Sequence, residues 1–486
     1  MPRLSDLLPT EAPALARDPQ VTGLTADSRK VGPGMLFAAL PGTKADGRAF
    51  IPQAVAAGAV AVLAPPGTLV PEGTALVEDE NPRRAFALMA ARFFGAQPGI
   101  MAAVTGTNGK TSVASFTRQI WSRLGHPAAS LGTLGVQAPG IDLGGGLTTP
   151  DTAALHEMLA ELAGKGVTHA VMEASSHGLD QFRLDGIRLA AGAFTNLTRD
   201  HLDYHGSMEA YGEAKLRLFT EVLPPGAGAV VNADSDFWPT IRVACAAHRL
   251  RVLTFGSAPE CDIRLLRQIP EPDGQSLELE LFGRRRDLRL PLAGGFQAAN
   301  ALCALGLVVA CGGDAEQAAE ALEHLEGVRG RLQRVAARKN GAAIYVDYAH
   351  TPDALETVLR ALRPHAANRL WVVFGCGGDR DPGKRPQMGA IAQALADRVI
   401  VTDDNPRSEA ASGIRAAIMA ACPGATEIGD RARAIREAVA GLEAGDLLVV
   451  AGKGHERGQI VGSEVLPFDD AEEACKAVTE IDGGTA

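Results

Sequence analysis

Between Thr105 and Ser112 the chain reads Thr-Gly-Thr-Asn-Gly-Lys-Thr-Ser. Gly106 and Gly109 let the backbone turn tightly and approach an anion closely. Lys110 can pair with β- and γ-phosphates, and the Thr111 hydroxyl can hold Mg²⁺. A common form of the phosphate loop has a glycine five residues before its Gly-Lys pair. Here Val104 stands at that place and Gly106 takes over, so the loop is two residues shorter. An ordinary glycine-rich turn would not need Lys and Thr at these two positions. Further along, Glu173 closes the apolar run from Ala170, and His201 lies in Asp200-His-Leu-Asp-Tyr-His205. A carboxylate near a phosphate loop is a natural second Mg²⁺ ligand. Alone, Glu173 would read as a helix cap and His201 as a capping or core histidine. Near the C-terminus come Gly378-Asp-Arg380, Asp404-Asn-Pro-Arg407 and Gly452-Lys-Gly-His-Glu456. Arginine pairs with carboxylates in a planar, bidentate way. In isolation, Arg407 reads equally well as a salt bridge at a helix start.

Periodicity supplies the elements that must position these groups. An apolar strand precedes the phosphate loop, and Val113, Phe116, Ile120 and Leu124 recur after it at helical spacing. The helix N-terminus adds unpaired N–H groups and a positive dipole end. Upstream, Met35–Leu40 reads as a strand, Ala54–Ala64 as a short helix running into a strand, and Arg83–Phe94 as an amphipathic helix before a Gly/Pro linker. Downstream, Ala343–Val346, Leu370–Phe374, Arg398–Thr402 and Leu447–Val450 each run into a polar loop. Strands alternating with helices predict mostly parallel sheets, which gather ligands at the carboxyl ends of their strands. The fold class expected is α/β with three domains: residues 1–97, 98–329 and 330–486. The central one is a P-loop ATPase sheet and the last is a doubly wound, Rossmann-like sheet.

Composition removes other classes. The 486 residues are 46% hydrophobic and carry a net charge of -10. That argues against an extended nucleic-acid or anionic-membrane surface. The seven cysteines include no C-x-x-C pair, which fits reduced thiols rather than a disulfide or zinc framework. The first residues lack the apolar core of a signal peptide, and no apolar run is long enough to span a bilayer. A cytoplasmic protein is expected.

Taken together and in order, these stretches, with Leu147-Thr-Thr-Pro150, Glu173-Ala-Ser-Ser-His-Gly178, Gly330-Arg331 and Asp347-Tyr-Ala-His350, resemble the Mur ligases. These are ATP-dependent amide-bond synthetases of peptidoglycan precursor assembly. The resemblance covers nearly the whole chain. It implies a member that adds the third residue to UDP-N-acetylmuramoyl-L-alanyl-D-glutamate through an acyl phosphate, acting as a monomer with ATP and Mg²⁺. It implies that the first domain binds the UDP part through Ser28 and the loop Thr43, Lys44 and Ala45. Other members often carry His-Gln where Thr43-Lys44 stands. Thr148, Thr149, Ser175, Gln181 and Arg183 would hold the muramoyl-dipeptide. Gly106, Thr107, Asn108, Gly109, Lys110, Thr111 and Ser112 would cradle ATP, with Asn300 near adenine and Arg331, Asp347 and His350 reaching ATP from the third domain. Lys110, Glu173, His201 and Lys215 would be catalytic. Thr111, Glu173, His201 and Lys215 would serve the metal, with Lys215 as an N6-carboxylysine carbamate. By composition alone, Lys215 is a solvated helix residue. Arg380, Asp404, Asn405, Arg407, Gly452 and Glu456 would bind meso-diaminopimelate, whose distal carboxylate lysine lacks. An unpaired buried arginine can reject such an analogue by about 10⁴–10⁵-fold in suitable sites. The alternatives are a lysine-adding member of the family, a folylpolyglutamate synthetase, a nucleotide switch and a kinase.

Overall fold

The computed structural model describes residues 1–10, 15–42, 46–144 and 148–483. The chain forms two compact units, Met1–Ile263 with Leu302–Ala318 and Arg264–Ala301 with Ala319–Ala486.

The first unit carries two sheets. The smaller is wholly parallel, in the spatial order Leu24–Thr25, Leu36–Ala38, Ala61–Ala64, Ala75–Glu78. The helix Pro82–Phe94 lays Phe86 and Met89 on Leu36 and Leu63. It starts one residue before the expected Arg83 because proline fits a first helical turn, and Asn81 caps it by accepting from the Arg84 N–H at 3.1 Å.

The larger sheet of this unit runs Arg251–Gly256, Gly228–Asn232, Leu189–Phe194, Ile100–Thr105, His169–Glu173, Ala128–Gly132, all parallel. Two short strands, Gly135–Ala138 and Ile141–Leu143, extend it antiparallel. They are four and three residues long, too short for their alternation to announce a strand. Ile100–Thr105 is buried almost throughout, as expected for an inner parallel strand with both faces covered. The helix Lys110–Arg123 packs Val113, Phe116 and Ile120 inward, so the predicted spacing holds. Register sets Val104 beside Glu173 and Thr105 beside Phe194. The phosphate loop, Glu173 and the segment after Phe194 therefore share one sheet edge.

The second unit holds an antiparallel pair, Gly274–Leu281 with Arg284–Leu290, which the sequence reading did not single out. Its main sheet has the order Gln333–Ala337, Ala343–Asp347, Leu447–Ala451, Leu370–Phe374, Arg398–Val401, Thr426–Glu427. Only the first pairing is antiparallel. Alternate residues feed opposite cores: Tyr345, Val372 and Val449 face Leu355 and Met388, whereas Ile344, Val373 and Leu448 face Ile435 and Ala474. Helices thus cover both faces, and the strand order switches where Leu447–Ala451 lies between Ala343–Asp347 and Leu370–Phe374. Among the described residues no helix is long and apolar enough to cross a membrane.

Candidate active site

The phosphate loop is held open from outside. Gly106 and Gly109 have φ of 143° and 87°. A Cβ on Gly106 would lie 1.9 Å from Thr195 Oγ1, so only glycine fits. The segment after Phe194 props the loop: Thr107 N donates to Asn196 O at 2.8 Å, Asn108 N to Asn196 Oδ1 at 2.9 Å, and Thr195 Oγ1 to Asn108 O at 2.6 Å. Lys110 Nζ folds back onto the carbonyls of Gly106 and Thr107 at 2.9 and 2.8 Å. Gly109 is the N-cap of the following helix and no side chain caps that end, which leaves it suited to phosphate oxygens.

Glu173 is buried at the rim of this loop, where its carboxylate accepts from Thr111 Oγ1 at 3.1 Å and from Thr133 N at 2.8 Å. Gly132 leaves room for it, since a Cβ there would sit 2.0 Å from Glu173 Oε1. The expected dipeptide residues gather against the same strand end. Thr149 Oγ1 donates to the Glu173 carbonyl at 2.9 Å and lies 3.0 Å from Ser175 Oγ, and Thr148 meets Thr133 at 3.1 Å. Arg183 donates to Thr149 O at 2.6 Å and to Gln181 Oε1 at 2.7 Å, and Gln181 Nε2 donates to Tyr204 at 3.1 Å. Nothing in the sequence marks Thr133 or Tyr204 as part of this cluster, although Tyr204 lies within Asp200-His-Leu-Asp-Tyr-His205.

His201 sits at the mouth with a left-handed φ of 51°, half-exposed and 3.5 Å from Asp200. Its ring meets His177 edge-on at 5.0 Å. Lys215 has the opposite environment. The helix Met208–Arg217, capped by Ser207, places Tyr211 and Lys215 four residues apart on one face. Lys215 is 1% exposed; its Nζ donates to Gly106 O at 2.8 Å and lies 4.3 Å over the Tyr211 ring. Burial, and then the nearby Lys110 charge, lower its pKa to about 6. A solvated helix lysine is therefore excluded. No group of three or more His, Cys, Asp or Glu side chains stands ready for a metal among the described residues. The oxygen donors Thr111 and Glu173 still fit a hard ion that keeps water and phosphate as its other ligands.

In the first sheet, Ser28 lies in the turn after Leu24–Thr25, where Asp27 caps by accepting from Arg29 N at 3.0 Å. Thr43, Lys44, Ala45 and Leu147 lie outside the described residues.

The second unit brings its expected nucleotide residues into one chain of contacts. Asn300 Nδ2 donates to Gln297 at 3.1 Å, and Gln297 Nε2 donates to Arg331 O at 3.2 Å. The Arg331 guanidinium lies 5.0 Å over the Tyr348 ring, which is 4.5 Å from the His350 ring. Asp347 accepts from Leu332 N at 2.6 Å and Ala349 N at 2.8 Å, and burial pushes its pKa up to about 6.

The amine-site candidates also cluster. Arg407 is half-buried, with φ of 54°, and its guanidinium donates to Gly378 O at 2.7 Å. A Cβ on Gly377 would come 2.7 Å from that guanidinium, and one on Gly452 would come 2.6 Å from Asp404 Oδ2. Asn405 Nδ2 donates to Glu456 Oε2 at 2.9 Å. Lys453, for which spacing alone suggests no role, is wholly buried and donates to Asn405 Oδ1 at 2.9 Å and Glu456 Oε2 at 3.3 Å. Arg380 is exposed beside this loop. Among the described residues neither Arg380 nor Arg407 has a carboxylate within ion-pair distance.

Comparison with known proteins places the whole chain in one family. Family models match in order: the Mur ligase family catalytic domain over residues 20–94, the Mur ligase middle domain over 104–308, and the Mur ligase glutamate ligase domain over 330–454. The chain is 57% identical, over 99% of both chains, to a UDP-N-acetylmuramoyl-L-alanyl-D-glutamate--2,6-diaminopimelate ligase of Caulobacter vibrioides. It is 56% identical, over 98% of both chains, to the protein of the same name from Chelativorans sp.. A solved structure with that name superposes with a TM-score of 0.75 at 33% identity, covering 100% of both chains. A MurF ligase of Thermotoga maritima in complex with ADP shares the fold at a TM-score of 0.60 and 19% identity, over 95% of this chain and 96% of that one.

Proposed function

The chain belongs to the Mur ligase family, and from that premise we propose how its residues divide the work of one reaction. The protein has the family's three-domain α/β fold and is an ATP-dependent C–N ligase. It joins meso-diaminopimelate to UDP-N-acetylmuramoyl-L-alanyl-D-glutamate in peptidoglycan precursor synthesis, releasing ADP and phosphate.

The physical obstacle is that a carboxylate must attack a polyphosphate. Lys110 and the backbone N–H groups at the start of its helix would neutralise the γ-phosphate and the charge it develops in transfer. Thr149, Ser175, Gln181 and Arg183 would hold the dipeptide so that its glutamate carboxylate faces that phosphate. Thr111, Glu173 and His201 would hold Mg²⁺, which supplies charge neutralisation at the phosphate oxygens. Lys215 would act as a carbamate. As an ammonium it has the wrong sign for a metal site, and its burial favours the neutral amine that can take up CO₂. Ser28 and the loop 43–45 would take the UDP part. Asn300, with Arg331, Asp347 and His350, would serve the nucleotide, as in the family's pattern. We place the domain boundaries at 97/98 and 329/330, and we expect a cytoplasmic monomer that works without nucleic acid or membrane.

For the acceptor, the carrying observation is the Arg407 guanidinium, seated on the Gly378 carbonyl with no carboxylate partner among the described residues. A distal carboxylate would pair with it and with Arg380. Asp404 and Glu456 would take the amino-acid ammonium, with the Gly452 backbone close by. The test supplies ATP, the UDP-dipeptide and a panel of diamino acids, with products read by mass spectrometry. The expected outcome is one diaminopimelate amide per ADP and phosphate, with lysine disfavoured by orders of magnitude. Equal use of lysine would overturn the acceptor assignment. Hydrolysis without amide, or a phosphorylated end product, would overturn the ligase reading.

A further inference from the structure

Arg407 occupies the left-handed region at φ of 54°, which a non-glycine residue keeps only where its surroundings over-determine it. On one side it is held by the Gly378–Asp379 segment, and on the other by a β-hairpin that no motif announces. Strands Gly458–Val461 and Glu464–Pro467 pair antiparallel across Gly462-Ser463. The outer strand is exposed throughout, so the hairpin adds little to either core. A two-stranded hairpin of this kind is marginal by itself. Its inner strand and the turn residue Gly462, however, bridge the Asp404–Arg407 loop at four points. Gln459 Nε2 donates to Asp404 O at 2.6 Å, and Ile460 N donates to Asn405 Oδ1 at 3.0 Å. Arg407 N donates to Ile460 O at 3.1 Å, and Gly462 N donates to Arg407 O at 2.8 Å. The last two form a parallel bridge between Arg407 and Val461.

We propose that this hairpin sets acceptor specificity by clamping the backbone of Arg407, and that Gln459 is its positioning residue. The proposal rests on the reading of Arg407 as the partner of the distal carboxylate. Three of the four bonds use backbone atoms of the hairpin; Gln459 supplies the only hairpin side chain among them, and it grips the loop three residues before Arg407. Without that grip the Asp404 carbonyl is released while Asn405 stays held by Lys453, Glu456 and Ile460, so the backbone leading to Arg407 tilts and the guanidinium is aimed less well. A planar fork recognises a carboxylate only when both donors are aimed, so loss of aim costs affinity for the acid-bearing amine and little else.

The experiment compares the full-length enzyme with Gln459→Met, Arg407→Ala and the double variant in steady-state assays, together with melting temperatures. Gln459→Met should raise the KM for diaminopimelate about 10-fold and narrow the preference for diaminopimelate over lysine by a similar factor. The KM for ATP and for the UDP-dipeptide, kcat and the melting temperature should stay unchanged. In the Arg407→Ala background, Gln459→Met should change the diaminopimelate KM less than about two-fold, because both act through one guanidinium. If Arg407→Ala raises that KM but Gln459→Met leaves it alone, the clamp is refuted and the reading of Arg407 stands. Equal KM changes for all three substrates, or a lowered melting temperature, would also refute the clamp as a merely structural contact. If Arg407→Ala itself has no effect on diaminopimelate, the reading of Arg407 falls and takes the clamp with it.

Discussion

At the end of the strand Ile100–Thr105 an anion would meet backbone; at the ends of Leu370–Phe374 and Arg398–Val401 it would meet side chains. The phosphate edge uses two positive-φ glycines, a helix start without a side-chain cap and a lysine folded onto its own loop. The amine edge uses a guanidinium, an amide and two carboxylates, cross-linked by buried Lys453. Backbone donors suit a phosphate, which every round of catalysis presents in the same form. Side chains suit an acceptor that must be told apart from a near relative lacking one carboxylate. The two buried lysines make the same contrast. Lys453 lies 3.3 Å from Glu456 and Lys215 has no ion-pair partner among the described residues. One site has already settled its cation with an acid, and the other holds a buried amine beside a backbone carbonyl and a ring.

The largest effect that could break this contrast lies at Lys215. Lys215→Met should lower kcat about 10³-fold, the scale of losing one group that stabilises transferring charge. Enzyme equilibrated with ¹³C-bicarbonate should show a carbamate carbon signal that disappears in this variant. Lys453→Met should leave the signal in place. A wild-type protein without the signal, yet fully active, would mean that the buried amine works unmodified.

A second effect sharpens the comparison from behind the amine edge. Arg431 and Asp470 are fully buried, paired at 2.7 Å, and Arg431 also donates to Ala451 O at 2.9 Å beneath Gly452. Asp470→Ala leaves a buried guanidinium uncompensated and should cost about 3 kcal/mol in denaturant unfolding followed by Trp371 fluorescence in a Trp121→Phe, Trp238→Phe background. Replacing both partners, as Arg431→Met with Asp470→Leu, should recover much of that loss. If the double variant is no better than the single one, the pair is doing more than removing its own burial cost.

Which parts of this were legible in the sequence follows from the same contrast. The phosphate loop, the inner strands and their helices could be read because their determinants are local: a glycine pair, an apolar run, a 3.6-residue spacing. The strands Gly135–Ala138 and Ile141–Leu143 could not, because an alternation only three or four residues long is too short to stand out as a period. Burial of Lys215 was invisible because it depends on Gly106, a residue 109 positions away. The hairpin's hold on Arg407 was equally hidden: Gln459 looks like any exposed polar residue until a fold sets it against Asp404, 55 positions earlier. Lys453 and Tyr204 sat inside quoted motifs, but only their contacts reveal that they hold other side chains in place.

The smallest effect concerns the rear of the dipeptide side. His156 is 3% exposed, its Nε2 lies 3.2 Å from Asp185 O, and burial holds its pKa down to about 4. The Asp185 side chain in turn takes Arg217 at 2.8 Å and Arg84, from the helix Pro82–Phe94, at 3.2 Å. His156 therefore stays neutral in the folded protein, while the unfolded chain takes up a proton near the ordinary value of 6.5. With the folded pKa depressed, the contribution is fully present above pH 6.5 and is lost as pH falls toward 4. Between pH 7.5 and 5 the loss should be about 2 kcal/mol. The variant His156→Gln keeps a donor for Asp185 O but has no proton to gain. Its stability should start lower at pH 7.5 and fall by about 2 kcal/mol less than wild type on acidification, measured in parallel urea titrations. Parallel pH curves for the two proteins would place the acid sensitivity elsewhere.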